Sequence, residues 1–210
     1  MEPTELIAQG AFEEAYLLAL QEGGGDALTT AARAASFLAT YQLEDHAEQL
    51  SWLERAVAAA EQAVTEDPVS AAAHFELARA VGLRDQLRGF PGNLEAATRL
   101  RRELERTLEL DPDHPDALAA LGKWHLELVE RGVAFLYGAR RDRVLPLLAR
   151  AVEIDPERVG LRVEYADALL RLDEEEEARA QLQIALSLSA EEAADRYERA
   201  RAEAMLQGLP

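Results

Sequence analysis

The sequence predicts an all-α fold assembled from repeated helical hairpins, and three observations predict it. Alanine and leucine dominate the 210 residues, and no stretch keeps the period-two alternation of a half-buried strand. One helix ending recurs at Thr65-Glu66-Asp67-Pro68, Glu109-Leu110-Asp111-Pro112 and Glu153-Ile154-Asp155-Pro156, 44 residues apart both times. Leu77-Ala78, Leu121-Gly122 and Tyr165-Ala166 then share that interval of 44 residues. A fixed period of this size is the mark of a repeat architecture.

Apolar spacing places helices over 4–21, 27–43, 45–66, 70–87, 93–109, 115–136, 140–154, 158–171, 174–187 and 190–206. Gly23-Gly24-Gly25 separates the first two as a hinge. No strand precedes it and no Lys-Ser/Thr follows, as a phosphate loop would require. Each Asp-Pro closes one helix and lets the next begin, because Pro lacks the amide and restrains the residue before it. The small member of each Leu/Tyr-small pair admits a close neighbouring helix. That outweighs a propensity penalty of about 1 kcal/mol where the small residue is glycine. Ala63, Thr107, Ala151 and Ala185 fall at the matching place on the second helices. From Ala78 to Thr107 and from Gly122 to Ala151 is 29 residues, against 19 from Ala166 to Ala185, so two hairpins carry about ten extra residues. Asp173 to Glu177 opens a helix whose dipole favours carboxylates there. In the closing helix Ala193, Ala194, Tyr197, Ala200 and Ala204 are expected to face inward, with Glu191, Asp195, Glu198, Arg199 and Glu203 opposite.

These residues resemble the tetratricopeptide repeat (TPR). Residues 159–190 fit the pattern at its usual length through Tyr165-Ala166, Leu169, Ala178, Leu182 and Ala185, and Gly10-Ala11-Phe12-Glu13-Glu14-Ala15 resembles the opening of a TPR second helix. The long hairpins, with Ala120-Leu121-Gly122-Lys123-Trp124 and Leu136-Tyr137-Gly138, are similar to bacterial relatives of the regulator of microtubule dynamics family over about 70–210. The resemblance implies a right-handed α-solenoid and a protein-interaction domain, and carries no cellular role. The whole chain then reads as one domain: N-terminal repeats over 1–69, two long units over 70–156, a regular repeat over 157–190 and a capping helix over 190–206.

Composition bounds the function. The absence of Cys removes disulfides, thiolate metal sites and cysteine nucleophiles. No window approaches the roughly 20 apolar residues of a membrane span. The N-terminus carries Glu2, Glu5, Glu13 and Glu14 where a signal peptide would be basic. The expectation is a soluble cytoplasmic protein with no membrane partner. A net charge of -18 argues against nucleic acid, although the charge is uneven: -12 over residues 1–78, +2 over 79–150 and -8 over 151–210.

What the resemblance implies for function is capture of a protein or peptide segment in a groove lined by the first helices of the hairpins. Helical geometry assigns to that groove Phe75, Arg79 and Leu83, then Ala119, Lys123, Leu126 and Glu127, then Val163, Asp167, Leu170 and Arg171. Arg79 and Lys123 would together hold an acidic group of the partner; the competing reading pairs Lys123 with Asp167 and Glu127. The clamp that some TPR grooves build from asparagines is not expected, since the single Asn is Asn93. The inserted tips form a second surface, with Arg88 and Phe90 in one and Arg131, Phe135, Tyr137, Arg140 and Arg141 in the other. Either Phe90, Phe135 and Tyr137 pack on one another or the tips meet a partner; homodimerisation through the tips fits an adaptor, a ligand-binding or enzymatic protein and a nucleic-acid reader alike. The four histidines show no metal-ligand spacing, and nothing singles out a catalytic pair, so a non-catalytic adaptor without metal or cofactor is expected. The rival readings are a ligand pocket or enzyme near Trp124, His125 and Tyr137, and a nucleic-acid surface of Arg99, Arg101, Arg102, Arg140, Arg141 and Arg143.

Overall fold

A computed structural model describes residues 1–89 and 94–209, and among these residues all regular structure is helical. Phe90, which the sequence reading placed at a hairpin tip, lies outside the described residues. The chain forms two compact units, Met1–Pro112 and Asp113–Pro210, divided at the second Asp-Pro turn.

The first unit contains α1 (Pro3–Gln9), α2 (Phe12–Glu22), α3 (Gly25–Tyr41), α4 (His46–Glu66), α5 (Ala71–Leu87) and α6 (Leu94–Leu110). Each helix packs on the next, and α3 also packs on α5. The helix expected over 4–21 is two helices. Gly10 adopts φ 92°, and the amides of Gly10 and Ala11 turn back to the Ile7 and Leu6 carbonyls, so the chain reverses and starts α2 at Phe12. Asp45 caps α4 by accepting from the Ala47 and Glu48 amides, and Ser70 caps α5 through the Ala73 amide.

The second unit contains α7 (Pro115–Glu130), α8 (Ala134–Tyr137), a 3-10 turn (Arg141–Arg143), α9 (Val144–Ile154), α10 (Val159–Arg171), α11 (Glu175–Ser187) and α12 (Ala193–Gln207). His114 Nδ1 accepts the Ala117 amide at 3.3 Å, and Pro115 takes the first helical position, so the Asp-His-Pro turn is a helix start. The helix expected over 115–136 ends at Glu130, where Gly132 at φ 70° breaks it. The surplus residues are placed differently in the two long hairpins. α5 and α6 are each 17 residues against 13 for α10 and α11, whereas between α7 and α9 the surplus makes α8 and the 3-10 turn.

The repeat signal has a single structural cause at each site. The amides of Asp67, Asp111 and Asp155 close their helices onto the carbonyls of Ala63, Thr107 and Ala151, at 2.9, 2.8 and 3.1 Å. Those three residues and Ala185 are fully buried. The small members of the pairs are buried too, and Gly122 shows why: a Cβ there would stand 3.1 Å from both the Val144 carbonyl and Leu148 Cγ of α9. In the second unit Val159, Val163, Leu169, Ala178, Leu182 and Ala202 form one buried cluster.

The expected orientation of the closing helix is corrected. Tyr197, Ala200 and Ala204 are exposed; Ala202 is buried, and Met205, Leu206 and Leu209 pack against the same core. Alanines occur on every side of α12 and do not fix its register, which the Met and Leu residues of its last turn do.

Candidate partner-binding surfaces

The first helices of the hairpins present an ionic face in each unit, and in the first unit aromatic rings join it. In the first unit Glu76 of α5 is fully buried and accepts from two guanidiniums: Arg33 Nε of α3 at 2.8 Å and Arg79 Nη1 at 3.1 Å. Arg79 lies over two rings, with its guanidinium carbon 5.1 Å from the Phe37 centroid and 4.6 Å from the Phe75 centroid. Phe37 in turn meets Phe12 and Tyr41 edge to face at 5.6 and 5.4 Å. Arg33, Phe37 and Tyr41 recur at four-residue spacing and share a side of α3, while Glu76, Arg79 and Leu83 share a side of α5. The Arg33 side chain is 42% exposed and that of Arg79 only 18%.

In the second unit the ladder runs across α7, α10 and α12. Glu164 takes Lys123 Nζ on one oxygen at 2.5 Å and Arg201 Nη1 on the other at 2.7 Å. Burial pushes the Glu164 carboxyl up, but the charges and hydrogen bonds of Lys123 and Arg201 outweigh it and hold the carboxyl down to about 2. Two helical turns beyond Glu164, Arg171 reaches Glu127 at 2.6 Å, Asp167 at 3.4 Å and Glu130. The hydrogen bond from Arg171 holds the Glu130 carboxyl below its ordinary range. Arg201 extends the ladder to Glu198 and Asp167.

Several expected groove residues are therefore corrected. Phe75 is 4% exposed and lies beneath Arg79, and Leu126, Val163 and Ala119 are buried. A first helix inside a stack touches its own second helix and the helices of adjacent hairpins, so little of its surface faces outward: α10 packs on α7, α9, α11 and α12. Leu83 and Leu170 are half-buried, and Arg79, Lys123, Glu127, Asp167 and Arg171 lie on the ionic faces. The partner of Lys123 is Glu164, rather than the expected Asp167 and Glu127. Arg79 and Lys123 belong to different units, and each is held by a carboxylate of its own unit. Sequence reasoning missed Arg33, Glu76, Glu164 and Arg201. The signal was available: opposite charges pair across neighbouring hairpins at separations near one repeat, 43 residues for Arg33 to Glu76, 42 for Arg158 to Asp116 and 44 for Arg171 to Glu127.

The tip of the second long hairpin is anchored from below. His125 is buried against Trp124, ring centroids 5.1 Å apart, and its Nδ1 accepts the Arg140 amide at 3.1 Å. His125 thus supports the tip, with Trp124 buried beside it. Above it Phe135 is 81% exposed and Leu136 60%, while Tyr137 is half-buried. Arg131 pairs with Glu127 and Arg140 with Asp142. Arg88 of the other hairpin reaches Glu54.

A cleft of about 360 Å³ opens in the first unit beside His74, lined in part by Arg102, Glu103, Arg106 and Glu109. His74 Nδ1 lies 2.7 Å from Glu103 and its Nε2 3.1 Å from the Pro68 carbonyl, tying α6 to the Asp-Pro turn. Burial raises the Glu103 carboxyl, but Arg102 and His74 hold it below its ordinary range. Arg99 and Arg101 are taken up by Glu61 and Glu105. Among the described residues no three His, Asp or Glu side chains gather as a metal-ligand set, and no helix is long and apolar enough to cross a membrane.

The profile of the family described as Regulator of microtubule dynamics protein 1-3 matches residues 5–210. The chain belongs to this family. No curated protein matches it. Among solved structures, a thermophilic TPR protein of Thermus thermophilus is similar at TM-score 0.69 and 18% identity, covering 96% of this chain and 95% of that one. MamA is similar at TM-score 0.50 and 16% identity, covering 95% and 96%. This regulator-family chain therefore has the TPR fold, a solenoid of helical hairpins, as its own repeats predict.

Proposed function

We propose that this chain is a non-catalytic protein-interaction adaptor, and that the α3–α5 face of the first unit holds an acidic, aromatic-bearing segment of a partner protein. The observation that carries the reading is the meeting of Arg33 and Arg79 on the single carboxylate of Glu76, with Arg79 laid over Phe37 and Phe75. The Arg33 side chain remains 42% exposed on this face, in a chain of net charge -18. Arginine and aromatic side chains are what interfaces concentrate. A buried ionic cluster is also a poor way to gain stability compared with apolar packing of the same volume, which supports a role in recognition. The second unit's ladder is richer in acids, so an acidic segment is repelled there. The adaptor character fits the TPR fold; the role in microtubule dynamics stays with the proteins whose family name states it.

The test is fluorescence anisotropy with a labelled peptide alternating Glu with Phe and Leu. Wild type binds, and Arg33→Ala weakens binding about tenfold, a loss of about 1.4 kcal/mol, measured at a temperature where circular dichroism shows the variant folded, since the substitution also removes a partner of the buried Glu76 carboxylate. Equal binding by Arg33→Ala, or equal binding of a peptide with Lys in place of Glu, overturns the proposal.

A further inference from the structure

The chain carries two exposed surfaces of opposite character. The first is the tip between α7 and α9. Phe135 and Leu136 stand out into solvent at 81% and 60% exposure, on a loop pinned by His125. Residues 131–143 include Arg131, Arg140, Arg141 and Arg143 against Asp142 alone. Arg131 and Arg140 are engaged by Glu127 and Asp142, and Arg141 and Arg143 are exposed and form no ion pair among the described residues, Asp142 acting on Arg143 only at longer range.

The second surface is on α2. At about 100° per residue, Leu20, Glu13, Leu17, Gln21 and Glu14 fall in one strip of the helix. All five are exposed, Leu17 at 52% and Leu20 at 41%. The opposite side of α2 is core, with Phe12, Ala15, Tyr16 and Ala19 buried. The terminal hairpin of a repeat stack ordinarily presents a polar outer face, because nothing stacks on it. Here two leucines occupy that face, with Glu13 and Glu14 beside them.

From this match of apolar content and opposite charge we infer that the chain associates with a second copy of itself head to tail, the tip of one copy seating on the α2 face of the next. Phe135 and Leu136 cover Leu17 and Leu20, and Arg141 and Arg143 meet Glu13 and Glu14. The two surfaces differ, so the interface is heterologous, and the dimer keeps one free tip and one free α2 face to which further copies add. The inference shares the interaction-module reading but does not use the α3–α5 face, so either can fail alone.

Sedimentation velocity over a concentration series tests it with the full chain. Wild type is expected to form dimers and larger species. Phe135→Glu/Leu136→Glu and Leu17→Glu/Leu20→Glu are each expected to stay monomeric by themselves and, when mixed, to give a 1:1 heterodimer that grows no further. All four residues are solvent-exposed, and circular dichroism is expected to show unchanged helix content in both variants. Arg141→Glu/Arg143→Glu is expected to lose association and to regain it when mixed with Glu13→Arg/Glu14→Arg. Monomeric wild type at all concentrations, dimers formed by the α2 variant alone, or no heterodimer in the mixture each overturn the inference.

Discussion

Gly122 makes room for the Val144 carbonyl: a Cβ at position 122 would stand 3.1 Å from that oxygen. The oxygen belongs to backbone at the start of α9 and cannot rotate away as a side-chain end would. Gly122→Ala should therefore lower the melting temperature, at a cost of about 1–2 kcal/mol from the forced separation of α7 and α9, despite the better helix propensity of alanine. A raised melting temperature would show that these helices yield freely.

Asp173 occupies the left-handed region at φ 67°, closing α10 where the Asp173 and Glu174 amides return to the Leu170 and Leu169 carbonyls. Glycine is the residue suited to that position. Asp173→Gly should raise stability by about 0.5–1 kcal/mol in urea denaturation, the strain relieved exceeding the extra entropy of the unfolded chain. A loss of stability contradicts this account of the α10–α11 turn.

Glu164 makes the stability of the second unit acid-sensitive. Its carboxyl is lowered from an ordinary 4.5 to about 2, so the ion pairs with Lys123 and Arg201 stabilise fully above pH 4.5. That contribution, on the order of 2–3 kcal/mol, is lost as pH falls from 4.5 towards 2. Against wild type, Glu164→Gln should be destabilised at pH 7, and the difference should shrink through that window. A constant difference between pH 6 and pH 2.5 contradicts it.

His125 holds the tip through the Arg140 amide. His125→Phe keeps the bulk but leaves that amide without its acceptor. Limited trypsin digestion should then cut at Arg140 and Arg141 several times faster than in wild type, while the global melting temperature falls by only the few degrees that about 1 kcal/mol removes. Unchanged cleavage would mean that the tip is held by something else.

The repeat was legible because it depends on residues with one local consequence. Asp-Pro ends a helix wherever it stands, and a small residue at a helix crossing is required by the backbone separation; Asp67, Asp111 and Asp155 show this with one shared hydrogen bond. The faces of the first helices were not legible in the same way. Phe75, Leu126 and Val163 become core through packing against adjacent hairpins, which no single helix records. Arg79 was legible as an outward position of its helix, but its setting depends on Arg33 and Glu76, one repeat apart in sequence and joined by tertiary packing. The tip residues Phe135, Arg140 and Arg141 were legible as an insertion, whereas the anchoring role of His125 needed the return of the chain after Gly138.

The docking proposed for an acidic, aromatic-bearing segment on the α3–α5 face can be mapped residue by residue. The most direct measurement is a two-dimensional NMR titration of the labelled full chain with the Glu/Phe/Leu peptide. The account predicts shifts concentrated at Arg33, Phe37, Tyr41, Arg79 and Leu83, including the side-chain signals of both arginines. Shifts confined to residues 113–210, or none at saturating peptide, would contradict it.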